Sequence, residues 1–264
     1  MSCRAVSLAV LSLSFAFVLP ALAAQPPVEV TACGQEVPPG RSAILTTDLT
    51  CGTAGGALGV ALGRGAKLDM QGHTITGGVA AVACLPVMCD GTWCGPTKTS
   101  GRCEVSNGTI TGARYEGISA GKVVVRNVTF TNNRAYDVLA FHKADLHGST
   151  IVRADGNAVQ ANLRIRLFDT TVDGGYVVSS KRVDLFSSSV TNADFLGIFG
   201  RDIRLTNSSV TGNGINPRCG VDATCADLAS TKQPRLDATS TCGHSLDTRD
   251  FPHTTPSWGV CTLD

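Results

Sequence analysis

After the first 25 residues, polar and apolar positions fall into a repeating register with no helical period. Seven segments share one pattern: MQGHTI ending at Ile75, VSNGTI at Ile110, VRNVTF at Phe130, LHGSTI at Ile151, LFDTTV at Val172, LFSSSV at Val190 and LTNSSV at Val210. After a first interval of 35 residues the anchors recur at spacings of 20, 21, 21, 18 and 20, the length of one coil of a β-solenoid. Five residues before the anchors stand Met70, Val105, Val125, Leu146, Leu167, Leu185 and Leu205. Two residues earlier stand Leu68, Cys103, Val123, Ala144, Ile165, Val183 and Ile203. Apolar residues at period two mark the inward face of a strand. Gly72, Asn107, Asn127, Gly148, Asp169, Ser187 and Asn207 stand three before the anchors. These residue types tolerate unusual backbone angles, so a bend is expected there in every coil. Ile118, Val138, Val159, Val177 and Ile198 suggest a third strand. The prediction is an all-β fold: a right-handed parallel β-helix of about seven coils, with three parallel sheets around a dry core.

The same columns explain three apparent glycosylation sequons at Asn107, Asn127 and Asn207, because the repeat itself puts Asn two places before Ser or Thr. They are read as bends rather than attachment sites.

The stretch Leu68-Asp69-Met70-Gln71-Gly72-His73-Thr74-Ile75-Thr76-Gly77, followed by recurring N-x-[ST]-[IVF] turns, resembles the secreted bacterial right-handed parallel β-helix proteins of the pectate-lyase-like superfamily. The likeness spans about residues 44 to 215. It implies fold more than activity, since that group holds lyases, hydrolases, epimerases and non-catalytic surface proteins. None of the group's catalytic sets transfers. Paired-aspartate and Gly-His hydrolase motifs lack their partners around Gly72-His73, and no acid cluster suited to calcium stands out.

The amino terminus, with Arg4, an apolar run and Ala21-Leu22-Ala23, reads as a secretory signal peptide over 1–23. A secreted protein, extracellular or periplasmic, is expected, and no later stretch is apolar enough for a membrane span. Val30-Thr31-Ala32-Cys33 looks superficially like a lipid-attachment site, but Pro26, Pro27 and Glu29 separate it from the apolar run. Ten cysteines follow Cys3: Cys33, Cys51, Cys84, Cys89, Cys94, Cys103, Cys219, Cys225, Cys242 and Cys261. An even set in an exported chain reads as disulfides, and the cluster from Cys84 to Cys103 has no CxxC pair to favour zinc. Cys33 with Cys51 and Cys242 with Cys261 are the expected pairings. Residues 24–55 and 219–264 are expected as caps on a solenoid of 56–218, with an insertion at 77–103 carrying Trp93.

Net charge is +1, so no overall field argues for nucleic acid or anionic membrane. Locally the picture differs. Alternation turns Lys67, Arg102, Lys122, Lys143, Arg164, Arg182 and Asp202 outward in one column. Asp69, Glu104, Val124, Asp145, Arg166, Asp184 and Arg204 form the next; Gln71, Ser106, Arg126, His147, Phe168, Phe186 and Thr206 form a third. Coils stack about 4.8 Å apart, so the bases become a ladder. Two roles fit this face. In one, Lys122, Arg126, Arg164 and Arg166 receive an acidic polysaccharide, Phe168 and Phe186 offer platforms to sugar rings, and Lys143, Asp145 and His147 form a catalytic set for elimination or epimerisation. In the other, pairs two residues apart (Lys67–Asp69, Arg102–Glu104, Lys143–Asp145, Arg182–Asp184) form a solvated charge lattice on a structural or adhesion module. A further edge is marked by Tyr115, Arg134, Tyr136, Asp137, Asp155, Asn157, Gln160 and Tyr176; Tyr115, Tyr136 and Tyr176 fit a stacked sugar-binding stripe and packing or turn roles equally well. His142 is expected to be solvated. No metal or cofactor is called for, and a monomer is expected.

Overall fold

Each coil turns at the same places because the same residue types recur there. In the computed structural model, which describes residues 25–52, 57–89, 94–152, 157–214, 225–249 and 256–264, every residue of the bend column has a left-handed backbone. The φ values are 87° at Gly72, 57° at Asn107, 53° at Asn127, 55° at Gly148, 49° at Asp169, and 48° at both Ser187 and Asn207. Gly, Asn, Asp and Ser, short or self-bonding, fill this column, as expected from the strain a longer side chain meets. The bend amides are not wasted: Gly148, Asp169 and Ser187 donate to Phe168, Phe186 and Thr206 carbonyls of the following coil.

Between bends the chain forms three parallel sheets. Sheet I includes Lys67–Asp69, 102–106, 122–126, 143–147, Arg164–Phe168, 182–186 and 202–206. Its partners stand in strict register, Leu146 opposite Leu167, Leu167 opposite Leu185, and Leu185 opposite Leu205. Sheet II carries the anchors, Ile110 opposite Phe130 and Phe130 opposite Ile151. Sheet III holds Ile118, Val138, Val159, Val177 and Ile198 in one inward column, each fully buried. All three inner faces feed one continuous apolar core.

The stack has about nine turns rather than seven. Val28–Val30 and Ser42–Leu45 pair beneath Lys67–Asp69, and Arg235–Leu236, Thr241–Cys242 and Ser245–Asp247 pair above the last repeat. These flanking rungs lack the repeat signature, so counting anchors missed them. The register of the first repeat also differs. Lys67 lies opposite Glu104 and Asp69 opposite Ser106, two residues from the expected alignment with Arg102 and Glu104. The cause is a longer bend, in which both Gln71 and Gly72 are left-handed. Met70 is thereby folded fully inside. A Cβ on Gly108 would meet the Met70 Cβ at 2.5 Å, so the glycine makes the room that Met70 fills.

The interior is not wholly apolar. Ser149, Thr170, Ser188 and Ser208 are buried two places before their anchors. Ser188 Oγ accepts from the Thr170 amide at 3.1 Å and donates to the Phe186 carbonyl at 2.8 Å. Ser208 and Ser240 continue the pattern. This internal hydroxyl ladder satisfies bend groups that water cannot reach.

Disulfides join Cys33 to Cys51, Cys84 to Cys103 and Cys242 to Cys261, and Cys94 and Cys225 are also disulfide-bonded. The first and last of the three are the pairings expected from sequence. The insertion folds as an antiparallel hairpin, Val87–Cys89 with Cys94–Pro96. It rests on sheet III, where Ser119 Oγ donates to the Cys94 carbonyl at 3.2 Å. Trp93, Asp155, Cys219 and the candidate signal peptide lie outside the described residues. Among the described residues no helix is long and apolar enough to cross a membrane.

Candidate functional site

The outward face of sheet I gathers the candidate residues as alternation requires. Lys122, Lys143, Arg164 and Arg182 are successive neighbours across four coils, as are Arg126, His147, Phe168 and Phe186. Lys143, Asp145 and His147 share one face of one strand. Lys67 leaves the ladder because of the longer first bend.

Charge pairing runs between coils more than along strands. Arg126 Nε donates to Glu104 at 3.0 Å, with Lys67 Nζ at 3.6 Å from the same carboxylate. Arg166 holds both oxygens of Asp145, the Nε contact at 2.6 Å. Asp184, fully buried, accepts from Arg164 at 3.2 Å and Arg182 at 2.6 Å. Of the four pairs expected two residues apart, only Arg182–Asp184 forms. Residues i and i+2 on a strand lie about 6.6 Å apart, whereas adjacent rungs lie about 4.8 Å apart, so the neighbouring coil is the nearer partner. The carboxylate hydrogen bond raises the Arg166 pKa. Among the described residues, Lys122 and Lys143 form no ion pair and stay exposed. Arg102, Lys122, Arg126, Lys143, Arg164, Arg166 and Arg182 thus outnumber Glu104, Asp145, Asp184 and Asp202 among them, a local excess of positive charge on a nearly neutral chain.

His147, Phe168 and Phe186 form a column of rings. Centroids are 4.5 Å and 4.8 Å apart, with interplanar angles of 7° at both steps. The faces of Phe168 are therefore taken up by its neighbours, and the column turns ring edges toward solvent. A sugar lying flat on the sheet meets these edges; the broad platforms expected from sequence are spent within the stack. Burial, then Arg126, lowers the His147 pKa, with Arg166 adding to this and Asp145 and Asp169 opposing it. The imidazole is therefore neutral at neutral pH.

The described part of the carboxy-terminal segment adds rungs to the stack and does not lie across this face. At its end, Cys261 is tied to Cys242, and Asp264 accepts hydrogen bonds from the Ser245 amide and hydroxyl.

On sheet III, Tyr136, Asn157 and Tyr176 share one column, but Tyr115 does not: Glu116 is the residue opposite Tyr136. Glu116 and Asp137 are buried, and Asn133 donates to Asp137 at 2.8 Å. Burial raises the Tyr136 pKa, with Glu116 and Tyr176 adding to it. His142 is partly buried, its Nε2 3.2 Å from the Lys98 carbonyl. Among the described residues no group of His, Cys, Asp and Glu is placed to hold a metal.

Comparison of the chain with protein-family models, with curated proteins and with solved structures finds no match in any of the three.

Proposed function

We propose that the sheet I face binds an acidic polysaccharide outside the cytoplasm. The observation that carries this is the pair of exposed lysines, Lys122 and Lys143, left without counter-ions while every nearby acid is engaged by arginine. Each lysine offers a hydrated cation one rung from the next, a spacing suited to carboxylates that recur along a polymer. Ring edges carry the positive side of the aromatic quadrupole, so the column beside the lysines also favours anionic oxygen. The solenoid's rigidity removes ordering entropy from the binding surface.

The reading is one of binding first. Asp145 is committed to Arg166, which leaves His147 as the group able to take a proton beside a uronate carboxylate, with Lys143 next to it as a cation for that carboxylate; turnover as a lyase or epimerase rests on them. Membership of the pectate-lyase-like group and export by the amino-terminal segment belong to the same proposal. A non-catalytic structural module is the second reading, favoured by the ion pairs that tie adjacent coils through Glu104, Asp145 and Asp184.

The test is retention on polygalacturonate, alginate and a neutral glucan, with ultraviolet detection of unsaturated product. Acidic polymers are expected to bind with affinity falling as salt rises, and the Lys122→Ala/Lys143→Ala double variant to bind about 2- to 30-fold more weakly, two exposed charge contacts of up to about 1 kcal/mol each. Equal retention of neutral and acidic polymers, or none of either, refutes the proposal.

A further inference from the structure

The ring column ends at a step. Phe168 and Phe186 stack, but the next residue in the column is Thr206, directly opposite Phe186. A threonine projects far less than a phenylalanine, so the outer part of the Phe186 face looking toward Thr206 has no ring against it. At the other end of the column, His147 faces the long Arg126 side chain.

Two further features converge on the step. Arg204 lies two residues before Thr206 on the same outward face. Unlike Arg166, it is not held in a two-pronged pair. Its contact with Asp202 is 3.5 Å, Arg235 shares that carboxylate at 3.9 Å, and the buried Arg204 Nε has no hydrogen-bond partner, while the guanidinium end stays part-exposed. Two guanidiniums share the Asp202 carboxylate on this side of the step, and on the far side the Asp237 carboxylate accepts the Asn207 amide at 3.0 Å. Around the corner, Ser187 and Asn207, which directly follow Phe186 and Thr206, line an open hollow of about 390 Å³ with Asp169, hydroxyl-bearing on most of its wall.

An apolar ring face, a guanidinium on one side and a hydroxyl-rich hollow on the other are the complements of one chemical object: a hexuronate ring. We propose that the Phe186–Thr206 step is a subsite for a single acidic sugar unit, its C–H face on Phe186, its carboxylate toward Arg204 and its hydroxyls toward Ser187 and Asn207. Asp237, whose carboxylate accepts the Asn207 amide from the rung beyond, sets the orientation, since it accepts hydroxyls and repels the carboxylate. This rests on the polysaccharide reading and deepens it. The rings of the column stack from coil to coil, so a sugar on the open Phe186 face caps the end of that column. The step therefore takes a chain end or a short oligosaccharide, separately from a polymer lying along the lysine row.

The experiment uses digalacturonate and the neutral galactobiose, with calorimetric titration and saturation-transfer NMR from aromatic protons. Digalacturonate is expected to bind more tightly than galactobiose and to receive saturation on its ring C–H protons. Thr206→Tyr, which extends the column and fills the step, is expected to weaken digalacturonate by about fivefold or more, the size of one aromatic contact. Arg204→Gln is expected to weaken it similarly, and Thr206→Ala to leave it within about twofold. Thermal unfolding of each variant confirms that the stack is intact. If the native protein binds no digalacturonate, or Thr206→Tyr and Arg204→Gln both bind it as the native protein does, the subsite is refuted. Polygalacturonate retention, read in parallel, reports on the lysine row, so loss of the subsite alone is distinguishable from failure of the wider proposal.

Discussion

Asp184 is a fully buried carboxylate held by arginines from two coils, and its replacement gives a sharp test of how adjacent coils are held. Its carboxylate is fully buried and takes one hydrogen bond from Arg164 in the coil before and one from Arg182 in its own strand, while those side chains are 34 % and 32 % exposed. Asp184→Asn keeps the shape and removes the charge. Breaking a fully buried pair costs about 3–5 kcal/mol. Here both guanidiniums reach water and can rehydrate, so the lower range for charged hydrogen bonds, about 1.5–3 kcal/mol, applies. For a chain of this size each kcal/mol corresponds to about 2–4 °C in Tm, so a drop of about 3–12 °C is expected. In a solenoid the loss is local; hydrogen exchange should accelerate first in 164–168 and 182–186 and least in the first coils. The triple variant Arg164→Met/Asp184→Leu/Arg182→Met, which removes all three charges together, should recover most of the loss. An Asp184→Asn protein with unchanged Tm and exchange, or one whose exchange rises uniformly along the chain, refutes the view that this carboxylate clamps neighbouring coils.

Three more expectations follow from the same contacts. Ser188→Ala leaves the buried Thr170 amide without its acceptor and should cost about 1–3 kcal/mol, read from denaturant midpoints; a neutral effect would mean water enters the ladder. The Asp264 carboxyl is pushed up by burial but pulled lower by hydrogen bonds from Ser245, the Cys261 amide and Ser257, to about 2 from 3.8. A depressed acid stabilises above its unfolded pKa and stops doing so as pH falls through the folded value, so the 256–264 tail should loosen between about pH 4 and pH 2. Asp264→Asn should loosen it at neutral pH, both read by exchange at Ser245 and Cys261; an unchanged tail in either case contradicts this. Because the His147 pKa is lowered by burial and Arg126, its added charge arrives only in acid below its ordinary pKa. Binding of a sulfated glycan, whose own charge is constant, should strengthen as pH falls below the ordinary imidazole range, and His147→Gln should flatten that profile.

What the linear pattern determined was the repeat unit: which residues face inward, where each coil bends, and that equivalent positions align. Those are local properties, set by period-two alternation and by the few residue types that accept a left-handed backbone, and they are repeated often enough to be read. The register of Leu146, Leu167 and Leu185, the third strand from Ile118 to Ile198, and the gathering of Lys143, Asp145 and His147 were all legible this way. The hydroxyl ladder was legible too, since Ser149, Thr170, Ser188 and Ser208 occupy one column, but a search for apolar core passes over it.

Tertiary structure alone decided which charges meet, because partner choice depends on the distance between coils, not on distance along the chain. It gave Asp145 to Arg166 and Asp184 to Arg164, turned His147, Phe168 and Phe186 face to face, and left Phe186 with a partly uncovered side above Thr206. It also decided where the repeat fails. A bend longer by two residues at Gln71-Gly72 displaces Lys67 by one position of the same face, and Met70 fills the space that Gly108 leaves in the next coil. Flanking rungs without the repeat signature join the stack for a similarly non-local reason: the open ends of a parallel solenoid present unpaired backbone groups, and any extended segment that reaches them gains a full row of hydrogen bonds.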